Sequence, residues 1–192
     1  MAVNQFTLNE GQRAERKLLI TVAEWKDANG AITIGTGTDA YKVDREILGT
    51  RTEDSSIEFN ADIETTTDIR GNNYTDLNKT QPQQSFDPYL ILGGSKLGAK
   101  LHDIMLRNAV SELNQFTMYI IMAYIEIHDT QDPTVVVGYA AQKQTDCTIT
   151  YDSLGGDVNV NFPITVYFSN KTSNGKVDKL ADDFVFDGDV NL

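Results

Sequence analysis

Between residues 57 and 69 the chain alternates. Ile57, Phe59, Ala61, Ile63, Thr65, Thr67 and Ile69 interleave with Glu58, Asn60, Asp62, Glu64, Thr66 and Asp68. A β-strand sends successive side chains to opposite faces, so this pattern predicts one strand with a mostly apolar face turned to a core. The other face then carries Glu58, Asp62, Glu64 and Asp68 and no base. Positions on one face repeat roughly every 6.8 Å, where two acids repel by about 0.6 kcal/mol in water. That repulsion brings no folding benefit, so the row points to a surface meant to be acidic. The plainer alternative is the solvated outer face of an antiparallel sheet.

The rest of the chain reads mainly as strands. Residues 18–26 form one, and the Asn29-Gly30 pair suits a tight hairpin turn into residues 31–34. Residues 41–43 make a short strand. Residues 44–56, with Arg45, Glu46, Arg51, Glu53 and Asp54, are polar and interrupted by Gly49, which predicts a long internal loop and so a functional one. Residues 70–73 are a turn, and the polar stretch 72–84 leads to Asp87-Pro88. Ser95 can cap a helix in which Leu97, Leu101, Ile104, Met105 and Ala109 form a single apolar stripe. Lys96, Lys100, Asp103 and Arg107 lie largely off that stripe, and the helix is the one segment that is not acidic, which suits contact with an acidic neighbour. Residues 116–127 are apolar on both faces, as in a strand covered twice, and a turn at 129–133 leads into a strand at 134–144. Residues 146–152 and 158–168 then read as a hairpin, the second strand alternating through Val158, Val160, Phe162, Ile164, Val166 and Phe168. The expectation is a mainly β domain over residues 18–168 with one flanking helix and a long internal loop. Residues 1–17 and 169–192 are expected to be arms.

Three stretches of wording carry more than periodicity. They are Ile47 to Asn60 with its Glu53-Asp54-Ser55-Ser56 block, the turn Asp68-Ile69-Arg70-Gly71, and Ser85-Phe86-Asp87-Pro88 ahead of the helix. Over roughly residues 12–168 the chain resembles the major tail (tail tube) proteins of bacteriophages. The resemblance implies a β-sandwich or barrel with a flanking helix, forming hexameric rings whose sheets join around a channel and stack into a tube. It further implies that Glu58, Asp62, Glu64 and Asp68 line the lumen through which DNA passes without specific binding. Arg45, Glu46, Arg51, Glu53 and Asp54 would belong to a ring-stacking loop, and Leu97, Leu101, Ile104 and Met105 to the core face of the helix. Implied partners are further copies of the chain, a tape measure protein, a tail terminator and distal tail or baseplate proteins. The implied location is the virion tail, assembled in the bacterial host cytoplasm. A tube from a phage-derived bacteriocin or contractile injection particle would use the same fold. A reading of another class is a monomeric carbohydrate- or calcium-binding β-sandwich with the acidic face as its site.

Composition narrows these choices. The 192 residues suffice for one domain with a sizeable core, and 16 basic against 28 acidic residues give a net charge of −12. Such a balance disfavours adhesion to the DNA backbone or to an anionic membrane. The single Cys147 excludes an internal disulfide, and residues 1–21 lack the apolar core of a signal peptide, which predicts folding in a cytoplasm. Residues 118–125 are too short to span a bilayer as a helix. Residues 93–100 approach a phosphate-binding loop, but Ala99 and Lys100 stand where that motif needs Lys and then Ser or Thr. His102 and His128 have no ligand-like partner at helical spacing. Equivalent exposed acids on one strand lack the differing environments that split the pKa values of a catalytic pair. No catalysis, metal or cofactor is expected.

Overall fold

The computed structural model describes residues 3–6, 8, 10–49, 52, 55–156 and 160–188. Over these the chain is mainly β, with antiparallel pairing and one α-helix among the described residues. The first strands are β1 (Val3–Phe6), β2 (Leu19–Lys26), β3 (Ile32–Ile34) and β4 (Tyr41–Ile47). They are followed by β5 (Ile57–Glu58), β6 (Ala61–Thr67), β7 (Asn73–Thr80) and β8 (Gln83–Phe86), then helix α1 (Lys96–Arg107). After the helix come β9 (Phe116–His128), β10 (Val136–Tyr151), β11 (Ile164–Tyr167), β12 (Thr172–Val177) and β13 (Phe186–Asp187).

The main sheet runs β3-β4-β2-β9-β10-β11-β8-β5. It folds over on itself along β10. Residues 139–144 of β10 lie between β9 and β12, whereas residues 148–151 pair with β11. The register shifts between Gln144 and Cys147, where Asp146 takes a left-handed conformation (φ 57°), so a bulge bends the strand from one layer into the other. The sequence pattern suggested separate strands at 134–144 and 146–152. They are one strand, because a bulge interrupts the alternation without ending the ladder.

The larger core lies inside the fold of this sheet. Trp25, Phe116, Met118 and Ile120 face Phe86, Ile149, Ile164 and Val166, and the Leu97, Leu101 and Ile104 stripe of α1 fills the same space. Met105 is half-buried beside them. Each fully buried Leu or Ile contributes roughly 1.5–3 kcal/mol. A second cluster covers the opposite face of β9, where Val22, Tyr119, Ile121, Ala141 and Val177 pack with Phe184. The doubly apolar β9 is therefore covered on both sides, as its sequence predicts.

Ser95 caps α1, its Oγ accepting from the Gly98 N–H at 3.0 Å. Glu46 on β4 completes the cap. Its carboxylate accepts the Leu97 N–H at 2.9 Å and the Tyr89 hydroxyl at 2.8 Å. An acid at the positive end of a helix is stabilising, and here it also ties β4 to α1. Burial and the Glu46 carboxylate both push the Tyr89 hydroxyl above its usual range, so it stays a donor. At the other end, left-handed Asn108 (φ 54°) closes the helix. The cations of α1 are already neutralised within the chain. Lys96 meets Asp44 at 3.3 Å, Lys100 meets Glu112 at 2.6 Å, and Arg107 meets Asp103 at 2.6 Å and Glu112 at 2.9 Å. The acidic neighbour expected for this helix is thus supplied by the same chain.

Arg45 is the most constrained charge. It is 2% exposed, and its Nε donates to Glu24 Oε2 at 2.6 Å while Nη1 donates to the Phe184 carbonyl at 2.5 Å. The guanidinium sits 4.2 Å from the centre of the Phe184 ring, and the Tyr119 hydroxyl donates to the same Glu24 oxygen at 3.2 Å. This knot holds residues 178–187 against the sheet.

Several expected boundaries change. Residues 27–30 turn, but β3 pairs with β4 and not with β2, because β4 takes the edge of β2 from Val22 to Lys26. Residues 44–47, placed in a loop by their polarity, belong to β4, since Arg45 and Glu46 find partners inside the molecule. The polar stretch 72–84 contains β7 and β8. Residues 172–177, expected to be a flexible arm, form β12 on the edge of β10, and the side chain missing from Gly175 admits the carbonyl of Asp187, which a Cβ would strike. Val3–Phe6 adds to the far end of β9 as β1. In the 158–168 stretch, Phe162, Ile164, Val166 and Phe168 are buried, Val160 is exposed, and Val158 lies outside the described residues.

Replacing Arg45 by Met leaves Glu24 buried without its counter-charge and is expected to lower the unfolding free energy by about 3–5 kcal/mol. Adding Glu24→Leu should restore a substantial part, as measured by urea denaturation. Glu112 is held at about 2, first by hydrogen bonds from Arg107 and then from Lys100. Its pKa is depressed on folding, so its contribution is complete above the unfolded carboxylate range and is lost as pH falls from about 4.5 towards 2. The Glu112→Gln protein should show a shallower fall in melting temperature across that window.

Candidate functional site

Strands β6 and β7 form a two-stranded sheet of their own, apart from the main one. At its root the Gln81 N–H donates to the Phe59 carbonyl at 3.1 Å, and Asn60 Nδ2 donates to the Gln81 carbonyl at 3.3 Å. Every residue of β6 is exposed. Ile63 and Leu77 stand opposite each other in the register, 59% and 61% exposed, so they form an apolar pair on one face of the hairpin. Thr65 and Thr75 make the next pair of the register on that face. Phe59, Ile69 and Tyr74 are exposed as well.

This arrangement corrects the single strand predicted over residues 57–69. Strand β5 stops at Glu58 on the edge of β8, Asn60 breaks the direction with a left-handed backbone (φ 39°), and β6 starts a new sheet. The row of acids is accordingly split. Glu58 lies on β5, where Gln83 Nε2 donates to it at 3.1 Å. Asp62 and Glu64 lie on β6 with a register shift directly after Asp62. Asp68 is past the end of the strand. Its carboxylate organises the turn, accepting the N–H groups of Arg70 at 2.7 Å and Asn72 at 2.9 Å, Asn72 Nδ2 at 3.1 Å and the Tyr74 hydroxyl at 3.2 Å. The backbone and side chain of Asn72, with smaller help from Arg70 and Tyr74, hold it below the usual carboxylate range. Ile57 on β5 still packs against the larger core, but the apolar positions of the row from Phe59 onward do not reach it, because β6 has no layer beneath it among the described residues.

Of the residues assigned by resemblance to a stacking loop, Arg45 is interior and Glu46 caps α1. Neither lies in a loop. Arg51, Glu53 and Asp54 lie outside the described residues. The described remainder of that stretch is tied inward. Leu48 and Ser55 are buried, Ser55 receiving Gln84 Nε2 on its Oγ at 3.0 Å, and Thr52 donates to the Pro88 carbonyl at 3.1 Å.

Beside the hairpin root the two layers of the sheet part into a groove of about 560 Å³. Leu19, Ile57, Pro82, Ile120, Met122 and Tyr124 give it an apolar lining. Gln144 also lines it, 3% exposed, with Nε2 donating to Gln142 Oε1 at 2.8 Å. The Oε1 of Gln144 has no donor among the described residues. A buried acceptor left unpaired costs about 1–3 kcal/mol. Arg16 stands at the rim, donating through Nε and Nη2 to the Ser55 carbonyl at 3.0 and 2.6 Å. Sequence reasoning missed this groove, whose walls come from six separate strands, the segment before β2 and the loops between them. Its only trace was the excess of apolar residues on both faces of β9.

His102 Nδ1 lies 2.9 Å from the Gly98 carbonyl and His128 Nδ1 2.7 Å from that of Pro133. Burial pushes the Cys147 thiol up, which keeps it protonated. Among the described residues no three His, Cys, Asp or Glu side chains form a metal-binding group, and no helix is long and apolar enough to cross a membrane. No protein-family model matches the chain, and no curated protein matches it.

Asp68→Ala removes four acceptor contacts from the hairpin turn and should leave the main sheet unaffected. Amide exchange is expected to accelerate across residues 61–80 alone; acceleration that spread into β9 or β10 would contradict the separation of the two sheets. Because the Asp68 pKa is depressed on folding, the turn's support is present above the ordinary carboxylate range and is lost as pH falls through the lowered value.

Proposed function

We propose that this chain is the structural subunit of a tube, of the phage tail tube kind, in which hexameric rings stack around a channel that conducts DNA. The observation that carries this reading is the projecting β6–β7 hairpin. An isolated two-stranded hairpin is marginal in water, and in this one every described side chain is exposed except Asp68 at the turn and Thr80 at the root, which are half-buried. A free-standing domain gains nothing from such an element. In an assembly its unpaired edges and its Ile63–Leu77 pair find cover on neighbouring copies.

Asp62 and Glu64 on this hairpin, with Glu58 at its root and Asp68 at its turn, give the proposed channel wall a negative charge. Phosphates passing such a wall release no counterions by binding it, so the genome is conducted and not retained. The net charge of −12 acts in the same sense. Copies of the chain are the principal partners, with a tape measure protein within the tube and terminator and distal tail or baseplate proteins at its ends.

Electron microscopy of the concentrated protein tests the assembly, with sixfold rings or tubes as the expected outcome. A protein that stays monomeric at high concentration, in scattering as well as in micrographs, overturns the reading. For the channel, tubes co-assembled from the unaltered chain and a minority of chains carrying Asp62→Lys with Glu64→Lys should, unlike unaltered tubes, co-sediment with duplex DNA at low salt and release it as salt rises. Equal DNA behaviour of the two tubes would remove the charge argument.

A further inference from the structure

We propose that the groove beside Gln144 is the receptor for the β6–β7 hairpin of a second copy of this chain. The inference rests on the self-assembly reading above and specifies the contact. Groove and hairpin each lack what the other presents. The groove offers an apolar lining with one buried acceptor, Gln144 Oε1, that has no donor among the described residues. One face of the hairpin offers the exposed Ile63–Leu77 pair followed by the Thr65 and Thr75 hydroxyls. That face combines aliphatic bulk with O–H donors at the next register position, about 7 Å along the strand.

Charge points the same way. The hairpin and its root carry Glu58, Asp62, Glu64, Asp68 and Asp76 against Arg70 and Lys79, whereas the segment that reaches the groove rim carries Arg13, Arg16 and Lys17 against Glu15. Arg13, Arg16 and Lys17 are all exposed. Distance explains why the occupant is another copy. Phe59 and Thr80 at the hairpin's root line the groove themselves, and Ile63 and Leu77 stand four and three residues beyond them on strands leading outwards, so bringing that pair into the groove of its own chain would require reversing the chain at Phe59-Asn60. That point is braced by the Gln81 and Asn60 hydrogen bonds. A neighbour displaced along the hairpin meets no such restriction.

The test mixes two full-length proteins, one Leu77→Cys and one Met122→Cys, under assembly conditions with a short bifunctional maleimide. Native Cys147 is buried and does not react. A covalent heterodimer is expected, in about tenfold excess over the product from either protein alone. Tubes without the heterodimer would overturn this contact while leaving the tube reading intact; the heterodimer without tubes would uphold the contact and sink the tube. A chain carrying both cysteines that links only within a monomer makes its own hairpin the occupant and overturns the proposal. Circular dichroism checks folding, and Tyr124→Cys, at the same groove, replaces Met122→Cys should the latter not fold. Independently, Gln144→Met should weaken self-association about fivefold to tenfold, the loss of one hydrogen bond across the contact. Unchanged association in a folded Gln144→Met protein would overturn the donor pairing.

Discussion

Strand β9 is apolar on both faces, so the sheet built on it needs cover on two sides. Most of the architecture follows from that demand. On one side the sheet folds over along the bulged β10 and closes on α1, burying Phe116, Met118 and Ile120. On the other, β12 and the segment ending in β13 bring Val177, Phe184 and Phe186 over Tyr119 and Ile121. Without the second layer, Tyr119 and Ile121 would lie in water, at a cost of roughly 1.5–3 kcal/mol for each large side chain.

Two charged groups on β4 connect these layers. Arg45 points to one side, where its bonds to Glu24 and to the Phe184 carbonyl pin the outer cover. Glu46, the next residue, points to the other and caps α1, which fills the inner core. Adjacent residues of one strand thus orient a cover on each face, by the alternation inherent in strand geometry. Polarity at these positions marks interior fastening and not a solvated loop.

The hairpin and the groove are the exceptions to this economy. Every other long element buries a face, but β6 and β7 expose Ile63, Tyr74 and Leu77, and the parted layers beside them leave a buried Gln144 oxygen unpaired. Exposed apolar residues in pairs and an unpaired acceptor in an apolar groove are each costly for an isolated molecule. In the proposed tube, these features beside the hairpin root are where neighbouring copies would meet.

The sequence by itself determined the mainly β class, the single amphipathic helix with its Ser95 cap, the double covering of β9 and the buried stripe of Leu97, Leu101 and Ile104. These are legible because period and capping chemistry are local. The tertiary structure alone decided where polar segments belong. Arg45 and Glu46 look like loop residues until Glu24, Phe184 and the helix N-terminus are brought to them from distant parts of the chain. The alternation through residues 57–69 is equally ambiguous. A period of two states that faces differ but not what lies against them, and here the apolar face of β6 meets no layer among the described residues. Whether an alternating strand is core or projection depends on long-range pairing of β5 with β8 and of β6 with β7, which no local pattern encodes.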